Sequence, residues 1–255
     1  MRGLAATLRA AVAEVRANRA SFVSQALVMA VNDIVWVLFW VLFFRRVGSV
    51  RGWDGDSILL LLAVLTCAGG ISLGVLANAR KVGTMAVDGQ LDAVLALPVP
   101  PLAHLLLRRI EATNVGDLAF GLVLFGLAGH HTVGRTAVFV GVVLAAATVL
   151  TSFLVLTGSL AFFLGRSEGG ELGFHAIILL GAYPVDIFAG AAKVLLYTVV
   201  PAAFVSSVPA RLVEDFDLPQ AALLAAIAAA FAVGAWATFT MGLRRYTSGS
   251  VWTRS

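Results

Sequence analysis

The sequence predicts an all-α membrane protein, and its composition and apolar runs support that prediction. The chain has 255 residues, of which 60% are hydrophobic and only 13% are charged, and its mean hydropathy is +0.95. A soluble domain carries roughly a quarter charged residues. Apolar runs recur at about the twenty-residue length that an α-helix needs to cross the hydrocarbon core of a bilayer. Lipid is therefore the expected solvent for most of the surface.

The first segment, 1–20, predicts an amphipathic helix. Leu4, Leu8 and Val15 recur at helical spacing, while basic residues recur every seven positions on another face. Arg9 interrupts the apolar stretch, so a cleaved signal peptide is not expected. The pattern favours a helix lying on anionic lipid headgroups. The alternative is an amphipathic helix packed on protein.

Six apolar runs are expected to cross the membrane. Aromatic residues such as Trp36 and Trp40 collect at the far end of the first run, as they do at membrane surfaces. Gly70 and Gly74 give the second run a small-residue face that suits close helix contact. The predicted bounds of the six spans are 21–44, 57–78, 113–129, 136–163, 172–190 and 219–243.

The fifth run is interrupted and is followed by an irregular apolar region. Pro184 and Asp186 fall inside the run, and further prolines follow it. We expect the region 191–218 to form short re-entrant helices, which enter the membrane interface on the extracytoplasmic side without crossing.

The distribution of basic residues predicts that both termini are cytoplasmic. Six spans place the termini on one side, and that side then holds twelve of the 18 basic residues. Cytoplasmic segments of membrane proteins are enriched in lysine and arginine. These residues cluster at the ends of apolar runs, so the net charge of +4 indicates topology and lipid contact and no nucleic-acid partner.

The segment 79–110 is then a long cytoplasmic connection between the second and third spans. Asp88 is expected to cap a helix that ends near Leu97, before Pro98. The helix would present an apolar ridge of four residues flanked by two acidic ones. The members are Val87, Leu91, Val94, Leu95, Asp88 and Asp92. Such a surface suits docking of a partner protein; alternatively the helix lies on the membrane.

No catalytic constellation is evident in the sequence. The chain lacks the G-x-x-x-x-G-K-[ST] motif that binds ATP phosphates, and its histidines lack the H-E-x-x-H spacing of zinc proteases. Cys67 is the single cysteine, which excludes an intrachain disulfide. We therefore expect no enzyme activity, metal site or cofactor in this chain.

Four polar residues in or near the apolar runs are candidates for lining a translocation path. They are Asn32, Asp33, Asp117 and Asp186. Burying charge in a membrane is costly, so such residues often have a function. Asp33 lies deepest in its run, and both a path-lining and a structural role stay open for it. The positions of Asp117 and Asp186 favour a structural role, and the sequence shows no acid–base pairing.

Two passages carry a family resemblance. DGQLDAVLALPVPPLAHLLLRR, residues 88–109, looks like a cytoplasmic segment that touches a nucleotide-binding subunit. YPVDIFAGAAKVLLYTVVPAAFVSSVPARLV, residues 183–213, is similar to a segment between the fifth and sixth spans of small six-span permeases. With these passages, the whole chain resembles the membrane subunit of an ABC-2 type transporter.

The resemblance implies a single transmembrane domain over 1–255 that acts as the permease subunit of an ATP-driven exporter. A separate ABC ATPase would bind ATP and Mg²⁺ and dock on a coupling helix near 88–97. A second permease subunit, identical or related, would complete the transporter in a bacterial plasma membrane. The residues leave one alternative open, a proton-coupled secondary transporter that uses Asp33.

Overall fold

The computed structural model describes residues 2–129 and 131–246. This part of the chain is almost entirely helical and contains no strand, only an isolated bridge between Val50 and Trp53, which confirms the all-α class. Position 130 and the tail 247–255, with Arg254, lie outside the described residues. The α-helices are α1 (Arg2–Ala17), α2 (Arg19–Val47), α3 (Gly55–Gly69), α4 (Val82–Val87), α5 (Asp92–Leu95), α6 (Pro101–Leu107), α7 (Ala112–Leu127), α8 (Val133–Ser159), α9 (Ala161–Leu164), α10 (Glu168–Gly181), α11 (Gly190–Thr198), α12 (Ser207–Glu214) and α13 (Leu218–Leu243).

The described residues contain four helical segments that are long and apolar enough to cross a membrane. They are Arg19–Val47, Gly55–Val75, Val133–Leu164 and Leu218–Leu243. Two helix pairs are bent: α6 meets α7 at 79°, and α11 meets the segment Ala202–Glu214 at 63°. Counting each bent pair as one span raises the number to six. A multi-span membrane protein is confirmed.

The interior of the bundle is formed by α3 and α8. Their side chains, such as Ile58, Leu61 and Leu150, are fully buried. The surrounding helices α2, α7, α10, α12 and α13 each pack on α3 or α8. Most apolar side chains of α2, including Val28 and Val35, are exposed. Because lipid solvates apolar side chains, this exposure is the expected state of a membrane-facing helix.

Close packing of α3 against α7 depends on glycine. The α-helix of the second run ends at Gly69, and a π-helix continues from Gly70 to Val75. A Cβ atom on Gly70 would lie 2.6 Å from the backbone nitrogen of Leu118, and one on Gly74 would lie 2.8 Å from that of Val115. The predicted small-residue contact is confirmed, because only glycine lets the two backbones approach this closely.

The fifth apolar run is interrupted, as the sequence predicts. The helical part of the predicted span 172–190 is α10, which begins at Glu168 and ends at Gly181. The chain turns before Pro184, whose ring cannot continue the helix, and a 3₁₀ turn follows at Val185–Ile187. At 1.5 Å per residue, α10 is about 21 Å long, less than the roughly 30 Å hydrocarbon core.

The N-terminal helix α1 packs on protein along one side. Thr7 Oγ1 lies 2.8 Å from His104 Nδ1 on α6, and Ala11 is buried. Leu8 and most polar side chains of α1 are exposed. The helix is therefore held by α6 while another face stays free for headgroups.

Candidate functional site

A cavity of about 250 Å³ lies between α2, α3, α7 and α10, and we call it the acidic cavity. It brings together Asn32, Asp33 and Asp117, three of the four residues that the sequence marks as possible path residues. Asp33 is the central residue of α2, and Asp117 lies in the second turn of α7. Spacing along the chain could not reveal this meeting, because it does not fix which helix faces pack together.

The two carboxyl groups of the acidic cavity are buried and incompletely bonded. Asp33 is 7% exposed and Asp117 is 6% exposed. Asp117 Oδ2 accepts a hydrogen bond of 3.4 Å from Asn114 Nδ2. Asp33 Oδ2 and Asp117 Oδ1 accept from no nitrogen or hydroxyl donor among the described residues, but the two carboxyl groups lie within hydrogen-bonding reach of each other. Buried carboxylates without partners are costly, so a proton or a bound cation must neutralise their charge.

The walls of the acidic cavity are mostly aromatic and aliphatic. Trp36, Phe120 and Phe174 contribute aromatic rings, while Thr66 and His175 add polar groups. The sequence pattern indicated an aromatic belt around Trp36, and the structure places its ring beside Tyr183, with centroids 6.0 Å apart. Such a lining can hold an apolar molecule while the few polar groups orient it.

Asp186 lies elsewhere, in what we call the Trp53 cluster. Lys193 Nζ lies 2.7 Å from Asp186 Oδ1, and the indole nitrogen of Trp53 donates to Asp186 Oδ2 at 3.0 Å. Arg51 Nη1 donates to the Asp186 carbonyl at 2.8 Å, and the Arg211 guanidinium lies 4.0 Å from the centre of the buried Trp53 ring. The cluster joins the loop after α2 to the irregular region beyond α10.

The electrostatics of Asp186 fit a structural tie. Burial by itself would raise the pKa of this carboxyl, but the hydrogen bonds from Lys193 and Trp53 and the charges of Lys193 and Arg211 hold it below its usual value. The bond to Asp186 in turn raises the pKa of Lys193. Both groups are therefore charged at neutral pH.

The segment between the second and third spans differs from the predicted single helix over 88–97. The structure divides it into α4, a turn at 88–91, and α5. Gly89 in the turn has φ +72°, a left-handed conformation that glycine adopts without strain and that ends α4. The expectation that Asp88 caps a continuous helix is therefore wrong, because a turn begins there and separates α4 from α5.

The predicted apolar ridge is also divided between two surfaces. Leu91 and Val94 are each 1% exposed and pack into the protein core, whereas Val87 and Leu95 are 47% and 41% exposed. Asp88 and Asp92 are exposed as well. The Asp92 carboxylate lies near Tyr246 at the end of α13, where burial first and this carboxylate second raise the tyrosine pKa to about 12.

Ion pairs tie this segment to the start of α7. Lys81 Nζ and Arg109 Nε lie 2.9 Å and 3.1 Å from Glu111 Oε1, and the Glu111 amide donates to the Gly74 carbonyl at 2.9 Å. Burial opposes ionisation of Glu111, but the hydrogen bond from Lys81 and the charges of Lys81, Arg109 and Arg80 hold its pKa below the usual value. The sequence analysis did not single out Glu111, since nothing in the chain pattern brings it beside Lys81.

Comparison with known families decides the class. The family model described as "ABC-2 family transporter protein" matches residues 30–250. The chain belongs to the ABC-2 transporter family. The match includes α3, α7, α10 and the segment with α4 and α5, so an ABC-2 membrane subunit accounts for nearly the whole fold. Comparisons with curated proteins and with solved structures found no match.

Membership explains why the chain carries transmembrane helices and no ATP-binding motif. ABC-2 membrane subunits lack an ATPase domain of their own, and the family implies an ABC ATPase partner. The G-x-x-x-x-G-K-[ST] motif is absent from this sequence. The protein is a multi-pass membrane permease of the ABC transporter class.

Proposed function

We propose that this permease is an exporter that takes its energy from a separate ATPase docked on α4 and α5. The observation that carries the proposal is the outer face of these helices, where Val87, Asp88 and Leu95 are exposed. Leu91 and Val94 anchor the same segment in the core. Because the segment is exposed on one side and anchored in the core on the other, movement of a bound partner can be transmitted to the membrane spans.

The proposed mechanical coupling between the docking surface and the spans runs through Glu111. Lys81 follows the π-helix, immediately before α4, and its ion pair with Glu111 reaches the residue that precedes α7. Asp117 lies one to two turns further along α7 and lines the acidic cavity. Because packed helices move as units, a shift of α4 and α5 would change the cavity's shape. ATP and Mg²⁺ would bind the ATPase, and this chain would hold no cofactor.

The rest of the assembly is proposed on the family likeness and the charge distribution. A second permease subunit, identical or related, would complete the transporter together with membrane lipid. The excess of basic residues favours cytoplasmic termini, with α4 and α5 on the same side. The bacterial plasma membrane is the proposed location, and outward transport is the proposed direction.

Co-purification tests the coupling. The tagged chain is extracted from its native membrane, and the captured ABC ATPase is quantified by mass spectrometry. We expect Val87→Asp and Leu95→Asp to lower the ATPase yield, because each places a charge in the docking surface. Phe216→Asp is the matched control, since Phe216 is an exposed apolar residue outside the cytoplasmic segment. If the unmodified chain never captures an ATPase, the proposal fails.

The alternative of a proton-coupled secondary transporter is supported by one observation. Asp33 shares its cavity with Asp117, so two carboxyl groups are available to pass a proton. This alternative requires no ATPase. Transport that survives loss of every ABC ATPase, and stops when a proton gradient is dissipated, would favour it over the exporter.

A further inference from the structure

We propose that the acidic cavity binds a small amphipathic organic cation, which Asp33 and Asp117 recognise by charge. This inference rests on the proposed function, because it names the class of compound that the permease would move. Its basis is the combination of two buried carboxyl groups, a lining without lysine or arginine, and aromatic walls in one place.

The charge of the cavity is one-sided. Its lining includes the carboxyl groups of Asp33 and Asp117 and contains no lysine or arginine among the described residues. Arg80 lies over the ring of Phe174, 5.2 Å from its centre, but does not line the cavity. His175 is largely exposed and pairs weakly with Glu171 at 4.0 Å. A positively charged ligand therefore meets attraction and no fixed competing cation.

The two buried carboxyl groups need a positive partner. Asp33 and Asp117 are more than nine-tenths buried, and their carboxyl groups lie within hydrogen-bonding reach of each other, while Asp33 Oδ2 and Asp117 Oδ1 accept from no nitrogen or hydroxyl donor among the described residues. Nearly all buried polar atoms in folded proteins are bonded, so exceptions need an explanation. A shared proton can join the two carboxyl groups while the cavity is empty, and the charge of a cation in the cavity would stabilise both carboxylates once that proton leaves.

The remaining walls select an organic cation over a metal ion. Trp36, Phe120 and Phe174 line the cavity, and aromatic faces attract organic cations when both are desolvated. The described residues contain no group of three or more His, Cys, Asp or Glu side chains that could hold a metal ion. The volume of about 250 Å³ is close to the lower end of ligand pockets, roughly 300–1,000 Å³, and suits a compound with one aromatic ring.

The test uses benzyltrimethylammonium, a one-ring cation that cannot lose a proton. Its binding to the full chain in lipid nanodiscs is measured by equilibrium dialysis, beside benzenesulfonate, an anion of similar size. We expect the cation to bind and the anion not to bind. The double substitution Asp33→Asn and Asp117→Asn should weaken the cation's affinity at least about tenfold, because a desolvated charge loses its partner.

Two further variants separate recognition from folding. Asp33→Glu keeps the charge and should retain most of the affinity in the presence of Asp117. Asp215→Asn changes an exposed carboxylate outside the cavity and should leave affinity unchanged. Unaltered affinity in the double Asn variant, equal binding of the anion, or no binding of benzyltrimethylammonium would each overturn the inference.

Capture of an ABC ATPase, measured on the same preparations, reports on the proposed function separately. A chain that captures the ATPase but fails to bind the cation contradicts only the inference. A chain that binds the cation through Asp33 and Asp117 but never captures an ATPase contradicts only the proposed function.

Discussion

Asp33 and Asp117 face one cavity from two helices that are separated in the sequence by the second span and the whole α4–α6 segment. The cavity lining contains no lysine or arginine that could pair with either carboxyl group. Burial without a counter-charge destabilises a folded protein. The pair is therefore better explained by binding than by stability.

Removing both carboxyl groups should stabilise the protein while abolishing transport. We expect Asp33→Leu combined with Asp117→Leu to raise the melting temperature in detergent, because apolar groups replace buried polar atoms that lack partners. Asp54→Leu is the opposing control: the Asp54 side chain accepts from the Ser57 amide at 2.9 Å and caps α3. Its loss should destabilise by about 1 kcal/mol. A lower melting temperature in the double variant would show that the pair has a structural role.

Two adjacent glycines should respond oppositely to alanine. Gly70→Ala would drive a Cβ to within 2.6 Å of the Leu118 backbone, and overpacking of this kind costs about 1–3 kcal/mol. A Cβ on Gly69 meets nothing within 4 Å, so Gly69→Ala should be neutral or slightly stabilising in the helix. Thermal unfolding of both purified variants provides the measurement. Equal effects would contradict the close contact between α7 and the π-helix that follows α3.

The sequence alone was sufficient for the fold class and for the Gly70–Gly74 contact, because hydrophobic length and small-residue spacing are local properties. It was insufficient where the chain turns. Gly89 divides the predicted coupling helix, whereas the end of α10 at Gly181 lies close to the interruption that Pro184 predicted.

The candidate site was predictable only in part for a related reason. The cost of burying charge identified Asp33 and Asp117 separately, but their meeting depends on the way α2 and α7 pack. Asp186 was also a candidate path residue, yet it lies outside the cavity, where tertiary folding gives it Lys193 and Trp53 as partners. Contacts between distant segments leave no periodic signal in one sequence.

Glu111→Gln should separate ATPase binding from transport. The substitution removes the charge that pairs with Lys81 and Arg109 but leaves the exposed face of α4 and α5 intact. We expect normal capture of the ATPase and a several-fold loss of transport in vesicles. Glu168→Gln, an exposed change in the first turn of α10, serves as the control. Full transport in the Glu111 variant would exclude this ion pair from the coupling route.

The Trp53 cluster should hold its loop over a defined pH range. Because folding lowers the pKa of Asp186, its contribution to the stability of the cluster is present above its usual pKa of 3.8. That contribution is lost as pH falls through the lower pKa of the folded state. The pKa of Lys193 is raised, so its contribution to the stability of the cluster is lost only as pH rises through a pKa above 10.5.

Hydrogen–deuterium exchange at neutral pH checks this tie. Asp186→Ala should increase exchange across 185–198, whereas Asp215→Ala should not. Unchanged exchange in the Asp186 variant would mean that backbone contacts alone hold the region.

Site-specific crosslinking at Leu95 tests the central claim most directly. Cys67 is the only native cysteine and is buried, so Leu95→Cys introduces a single reactive surface thiol for a photoactivatable label. We expect an adduct with an ABC ATPase in native membranes, and none from the same label placed by Phe216→Cys. Absence of the Leu95 adduct while the permease transports under ATP would contradict docking on α4 and α5.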